Sequence, residues 1–256
     1  MIKMNFCMRK RPDRSLDQFS NYWREKHGPF AMSGRTSRLG MRRYVQTHLV
    51  MTPLASALAD LVGPSSAPYE GICQLWFDSE DAVLETRSTA DGAAATQDLI
   101  EDERNFLDLP NCAARFYREE DCIHGAAGSG SHKLVLATSF EDAGDATRVG
   151  RDVAALLTSE AAASDVTKAV HNFGLDTPAN DMLRKPRCTS EHGFDYILEL
   201  WFADYASLTA AVLSTDGMLP RIVSALRNGD ADGQVSAWIA AERVMINGEE
   251  ILAAAA

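Results

Sequence analysis

A chain of 256 residues with a formal net charge of −11 and 24% charged residues is a poor partner for nucleic acid, which is held by clustered lysine and arginine. Its five cysteines (Cys7, Cys73, Cys112, Cys122, Cys188) are scattered with no CxxC pair, which argues for reduced cytoplasmic thiols and against a disulfide framework or a metal site. The N-terminus alternates apolar and charged residues, unlike a signal peptide, and no apolar run is long enough to cross a bilayer, so the expectation is a soluble, cytoplasmic protein without a membrane partner.

In chain order, IKMNFCMR (2–9) alternates as a strand does. SLDQFSNYWREKH (15–27) reads as a helix: Ser15 and Gln18 form a capping box, and Gly28-Pro29 form a stop. LGMRRYVQTHLV (39–50) and YEGICQLWF (69–77) are predicted strands, and the segment between them (51–68) is a long loop that either roofs a pocket or is a disordered excursion. DSEDAVLETR and TQDLIEDERNFL are helical pieces, and CAARFYRE (112–119) closes the first half. HGAAGSGSH follows, a small-residue linker. The second half runs HKLVLATSF, a helix over DATRVGRDVAALLTSEAAA, then DVTKAVHNF, a second long loop (175–193), FDYILELWF, helical pieces through 226, and QVSAWIAAERVMI.

QLWF (74–77) and ELWF (199–202) lie 125 positions apart, and the same offset takes Val45 to Val170. A constant displacement between strand-like segments indicates an internal duplication. The predicted fold class is α+β: two ferredoxin-like (βαββαβ) repeats, residues 1–123 and 132–256 joined by a linker at 124–131, whose antiparallel sheets pack into an α+β barrel.

Leu16, Phe19, Trp23 and His27 share one helical face, so His27 points toward the sheet from the helix C-terminal end. It faces either a cavity where a proton moves or a carbonyl that it caps. In the strands, Tyr44, Gln46 and His48 form one face of one strand, and Ile72, Gln74 and Trp76 one face of the next. Pairing those strands brings Tyr44, Gln46, His48, Gln74 and Trp76 onto a common face, an aromatic and amide set that encloses a ligand unless it is open to solvent. In the second half His171 takes the place of Gln46 and Glu199 that of Gln74, with Trp201 alongside. The same register makes His171 and Glu199 cross-strand neighbours, a carboxylate orienting an imidazole as for a general base, or an ordinary surface pair. No GxGxxG, P-loop, HExxH or GxSxG is present, and no histidines or carboxylates have tight metal-ligand spacing. The chemistry left open is acid–base and electrostatic, without a bound nucleotide or metal.

KRPDRSLDQFSNYWREKHGP, LGMRRYVQTHL and EGICQLWFDSEDAV together resemble the EthD-like family of the dimeric α+β barrel superfamily, in its Arg-Pro segment, its F..YW...HGP helix, its Tyr-Val-Gln strand and its Gly-initiated strand ending in W-F. The likeness covers the first half; residues 132–256 resemble a diverged copy without the YW…HGP helix. The resemblance implies one barrel from the two halves, further homodimerisation, and relatives that are cofactor-independent dehydratases, cyclases, decarboxylases, isomerases and monooxygenases of aromatic or polyketide molecules, alongside heme-binding members for which this chain has no decisive ligand motif. It places the family's histidine on His27 and its strand tyrosine on Tyr44. The expectation is a cofactor-independent lyase or dehydratase acting on a small aromatic or phenolic compound in catabolism, with a monooxygenase or isomerase, or a non-catalytic carrier of a hydrophobic metabolite, as alternatives. In that expectation His27, Tyr44 and His48 move or orient protons, Gln46 and Gln74 bind oxygens, Trp23 and Trp76 stack on the ring, and His171 with Glu199, beside Trp201, is the rival pair.

Overall fold

In the computed structural model, residues 1–63, 68–124, 132–142, 144–189, 193–227 and 234–246 are described, with backbone alone at 161–164. Eight strands form one closed barrel: β1 (Ile2–Met8), β2 (Arg43–Leu49), β3 (Gly71–Phe77), β4 (Ala113–Ile123), β5 (His132–Thr138), β6 (Val166–Gly174), β7 (Tyr196–Phe202) and β8 (Val235–Ile246). Their order around the barrel is β1-β3-β2-β8-β5-β7-β6-β4, and every pairing is antiparallel. The halves are sewn together by β2 with β8 and by β4 with β6. Residues 125–131, most of the expected linker, lie outside the described residues.

Most strand positions are buried on both faces, because one face lines the barrel and the other lies under helices. On β1, Lys3, Asn5 and Cys7 alternate with Met4, Phe6 and Met8, and the latter set joins the core beneath the first half's helices. A second helix-covered core lies over β5, β6 and β7, and a smaller cluster around Tyr69, Tyr117, Ile197 and Trp238 fills part of the barrel.

The helices of the first half are α1 (Leu16–Tyr22), α2 (Gly28–Met32), α3 (Arg35–Arg38), α4 (Ala55–Val62), α5 (Glu80–Ser88) and α6 (Ala90–Glu103); those of the second are α7 (Gly144–Ser164), α8 (Ala179–Arg187), α9 (Tyr205–Leu213) and α10 (Met218–Leu226). None of them is long and apolar enough to cross a membrane, among the described residues. The capping box at Ser15 and Gln18 forms in both directions. Gly28-Pro29 does not end the helix. The chain passes through a π turn at Trp23–His27, where the Gly28 N–H donates to the Trp23 carbonyl, and continues as α2. Pro29 falls in the first turn after this irregularity, where its missing N–H costs nothing. The two long segments expected to be loops each contain a helix, α4 in 51–68 and α8 in 175–193. In both, an apolar stripe (Leu58 and Val62; Ala179 and Leu183) overrides the surrounding turn residues.

Candidate functional site

His27 ends the π turn, and the extra residue in that turn aims its ring beneath α6. Its Nδ1 lies 2.8 Å from Asp102 Oδ2, and Tyr22 Oη donates to Asp102 Oδ1 at 2.8 Å. Burial alone would raise the Asp102 carboxyl, but the hydrogen bonds from His27 and Tyr22 hold it below its ordinary value. An ionised Asp102 accepts a hydrogen bond from Nδ1–H of His27, so the neutral tautomer carries its lone pair on Nε2. His27 is 7% exposed and packs on Phe106, with ring centroids 5.1 Å apart. It is not a carbonyl cap.

A cavity of about 30 Å³ opens beside it, bounded by His27, Tyr44, Cys73, Arg87, Glu103 and Arg187. Arg187 Nε and Nη2 donate to the two carboxylate oxygens of Glu103 at 2.7 Å each. Among the described residues Arg87 has no such partner: its Nη1 reaches Thr96 Oγ1 only at 3.4 Å, and its Nε makes no hydrogen bond. Burial, and then the charge of Arg187, push the Arg87 guanidinium down to about 10, so it is a cation at neutral pH. Burial, and then Glu103, push the Cys73 thiol up, which keeps it protonated and weakly nucleophilic. Tyr44 Oη accepts from Trp23 Nε1 at 3.0 Å and from Gln46 Nε2 at 2.9 Å. With burial also pushing it well up, this phenol is left with only its own proton to offer.

Of the other residues singled out from the sequence, several are held away from this cavity. Tyr44 pairs with Leu75 and Gln46 with Cys73, whereas Gln74 pairs with Val45 and Trp76 with Arg43. The expected common face therefore splits, because alternate residues in a strand point to opposite sides and the true register is one residue from the assumed one. Tyr44, Gln46 and His48 lie under the helices; Gln74 and Trp76 point into the barrel. Gln46 is spent on the Trp23 carbonyl (3.1 Å) and Tyr44, and His48 is held between Ser20 Oγ (2.6 Å) and Gln46 Oε1 (3.1 Å). Burial, then the nearby Arg24 and Arg243, lower His48 to about 4, so it is neutral. Trp23 packs on His48 at 4.3 Å between centroids and does not reach the cavity.

The same register logic separates His171 from Glu199. Val170 pairs with Glu199, and His171 pairs with Leu198. Glu199 lies in the barrel, where Lys3 Nζ at 2.5 Å and Lys133 Nζ clamp its two oxygens, and Gln74 Nε2 and Asn172 Nδ2 donate to it at 3.1 and 2.8 Å. The arrangement is two-fold: Lys3 also meets Glu119 (2.7 Å), to which Trp76 Nε1 donates, and Lys133 meets Glu242 (2.6 Å), to which Trp201 Nε1 donates. Both oxygens of Glu199 are taken up by these donors, while Asn5 Nδ2 and Asn172 Oδ1 at the network's edge have no partner among the described residues. His171 faces outward instead, with Nδ1 2.5 Å from Tyr196 Oη, Nε2 unpartnered and burial lowering it to about 4. It lines a separate cavity of about 420 Å³ under α7.

Asp102, Arg87, Glu103 and Arg187 were not singled out from the sequence. Three of them carried a readable signal: Arg87 sits one turn after buried Val83, Glu103 one turn after Leu99 and Arg187 one turn after Leu183. A charge on the apolar stripe of a helix is a buried charge. Nothing local pairs Asp102 with His27, 75 positions away.

A closed antiparallel barrel with helices outside, and a histidine–aspartate pair under one helical layer, defines an α+β barrel protein. Two solved structures share this fold: an anthrone oxidase-like protein (TM-score 0.57, 8% identity, 95% of this chain and 92% of that one) and a provisionally named monooxygenase from Fusobacterium nucleatum subsp. nucleatum (TM-score 0.52, 4% identity, 95% and 93%). No curated protein matches the sequence. Residues 11–110 match the EthD domain, a span that holds His27, Tyr44, Arg87, Asp102 and Glu103. Arg187 lies outside that span, so the second half completes the cavity of the first.

Proposed function

We propose that this chain is a small-molecule enzyme in which His27 removes a proton from a phenol or an enolisable carbonyl bound at the cavity of the first half. The observation that carries the reading is the His27–Asp102 pair at the cavity wall: with Nδ1–H hydrogen-bonded to the carboxylate, the Nε2 lone pair is the one left to accept a proton. Tyr44, whose oxygen already accepts two hydrogen bonds, supplies a hydrogen-bond donor for the anion. The assigned steps use only these side chains and no resident cofactor.

The resulting anion has two fates. Loss of a leaving group makes the protein a lyase; reaction with dioxygen makes it a monooxygenase or oxidase. The names of the two fold neighbours favour the second as the class to assay first. Anthrones and small phenols incubated under air and under argon separate the fates, since only oxygenation consumes oxygen. Turnover at the parent rate by His27→Ala would sink the reading.

The fold element of the proposal is that 1–123 and 132–256 are repeats of one ferredoxin-like unit. The order β2-β3-β1-β4 in the first half recurs as β6-β7-β5-β8 in the second, which supports it. We also propose a homodimer, checked by sedimentation equilibrium. A second reading puts the reaction at His171, favoured by the larger cavity it lines; there His171→Ala, and not His27→Ala, would abolish turnover.

A further inference from the structure

Three charged side chains converge on the first-half cavity, and their charges do not cancel. Glu103 and Arg187 neutralise each other through two 2.7 Å hydrogen bonds. Arg87 is left as a 7% exposed cation with no carboxylate hydrogen-bonded to it and its Nε unpartnered, among the described residues. An isolated charge in the interior is costly unless something pairs with it. The residues around it provide no direct pairing: Thr96 is neutral, Arg187 repels it, and Glu103, whose charge attracts it, gives both carboxylate oxygens to Arg187.

Arg87 also stands between two spaces. It lines the inner cavity, which has room for a single oxygen-sized group, and together with Thr96 it lines an outer groove of about 430 Å³ between α6 and α8. The groove is walled by Ile100, Met182 and Pro186, a surface suited to the face of a ring.

We infer that Arg87 is the oxyanion-recognition residue of this protein: an aromatic ring lies in the α6–α8 groove, and its anionic oxygen passes inward to pair with the Arg87 guanidinium. The inference deepens the proposed function by naming the substrate class as a phenol whose anion, once its proton has gone to His27, pairs with Arg87, and it rests on that reading for the role of the inner cavity. Arg87 binds and His27 reacts, so the two can be tested apart.

The test uses 4-nitrophenol, whose absorbance distinguishes phenol from phenolate, titrated with the full-length protein across neutral pH. Binding should lower the probe's apparent pKa by about one unit or more, a tenfold preference for phenolate. Arg87→Met should abolish that preference, Arg87→Lys should keep part of it, and His27→Ala should leave it in place. No binding, an unshifted pKa in the unaltered protein, or a shift that survives Arg87→Met overturns the inference. A shift lost in His27→Ala but kept in Arg87→Met also overturns it, while leaving the acid–base reading standing. Should Arg87→Met fail to fold, nitrobenzene decides on the unaltered protein: at least tenfold weaker binding than 4-nitrophenol at a pH where the phenolate forms supports Arg87, and equal binding refutes it.

Discussion

Replacing Glu199 by Gln tests whether the polar network in the barrel is held by charge. Each carboxylate oxygen of Glu199 faces an ammonium group, Oε1 toward Lys3 and Oε2 toward Lys133, and the three side chains are at most 2% exposed. A glutamine fits the space, but its NH₂ must turn a donor toward one lysine. Breaking a buried pair by removing one charge costs about 3–5 kcal/mol, which for a chain of this size lowers the melting temperature by roughly 6–20 °C. Glu119 and Glu242, 27% and 17% exposed at their side chains, remain to hold each lysine, so the cost belongs toward the lower end. Lys133→Met should cost a similar amount, because it frees the same carboxylate oxygen. In the double variant the misplaced donor no longer meets a cation, so its destabilisation should fall short of the sum of the singles by about 2 kcal/mol, within the coupling range for residues in contact. Urea unfolding of the four proteins measures this cycle. Additivity within about 0.5 kcal/mol would refute a charge-coupled interior.

Removing the acid–base pair should act on rate alone: His27→Ala and Asp102→Asn should each lower kcat by about 10²–10⁴-fold with unchanged far-UV circular dichroism, and an Asp102→Asn variant at full rate would remove the aspartate's role. His171 makes stability depend on pH. Its folded value is lowered from 6.5 to about 4 by burial, so the unfolded chain binds the proton more readily; the contribution is complete above 6.5, is lost as pH falls toward 4, and amounts to roughly 3 kcal/mol. The urea midpoint should therefore drop between pH 7.5 and 5 in the parent and less in His171→Gln; parallel drops would contradict this. Gly71→Ala should destabilise by about 1–3 kcal/mol, since its Cβ would lie 2.6 Å from the Trp23 ring and 3.2 Å from the Thr47 carbonyl, and a melting curve matching the parent's would show that the helix can yield there.

What the sequence determined by itself was everything that short-range periodicity encodes. The eight strands follow from alternation and the α1 start from Ser15 and Gln18; the direction of His27 follows from its spacing with Phe19 and Trp23. Where reading failed, it failed by one residue or by long range. Strand pairing has a period of two, so the difference between Gln74 opposite Gln46 and Gln74 opposite Val45 moves a side chain through the sheet, and no local pattern sets that register. The π turn was equally hidden; its Trp23 carbonyl accepts from Gly28 and also from Gln46 on another element. Only tertiary structure could decide that Asp102 partners His27, that the second half supplies Arg187 to a first-half cavity, and that Arg87 is left over. Charge balance in an interior is a property of groups brought together across the fold, and the chain carries each of them without stating its neighbours.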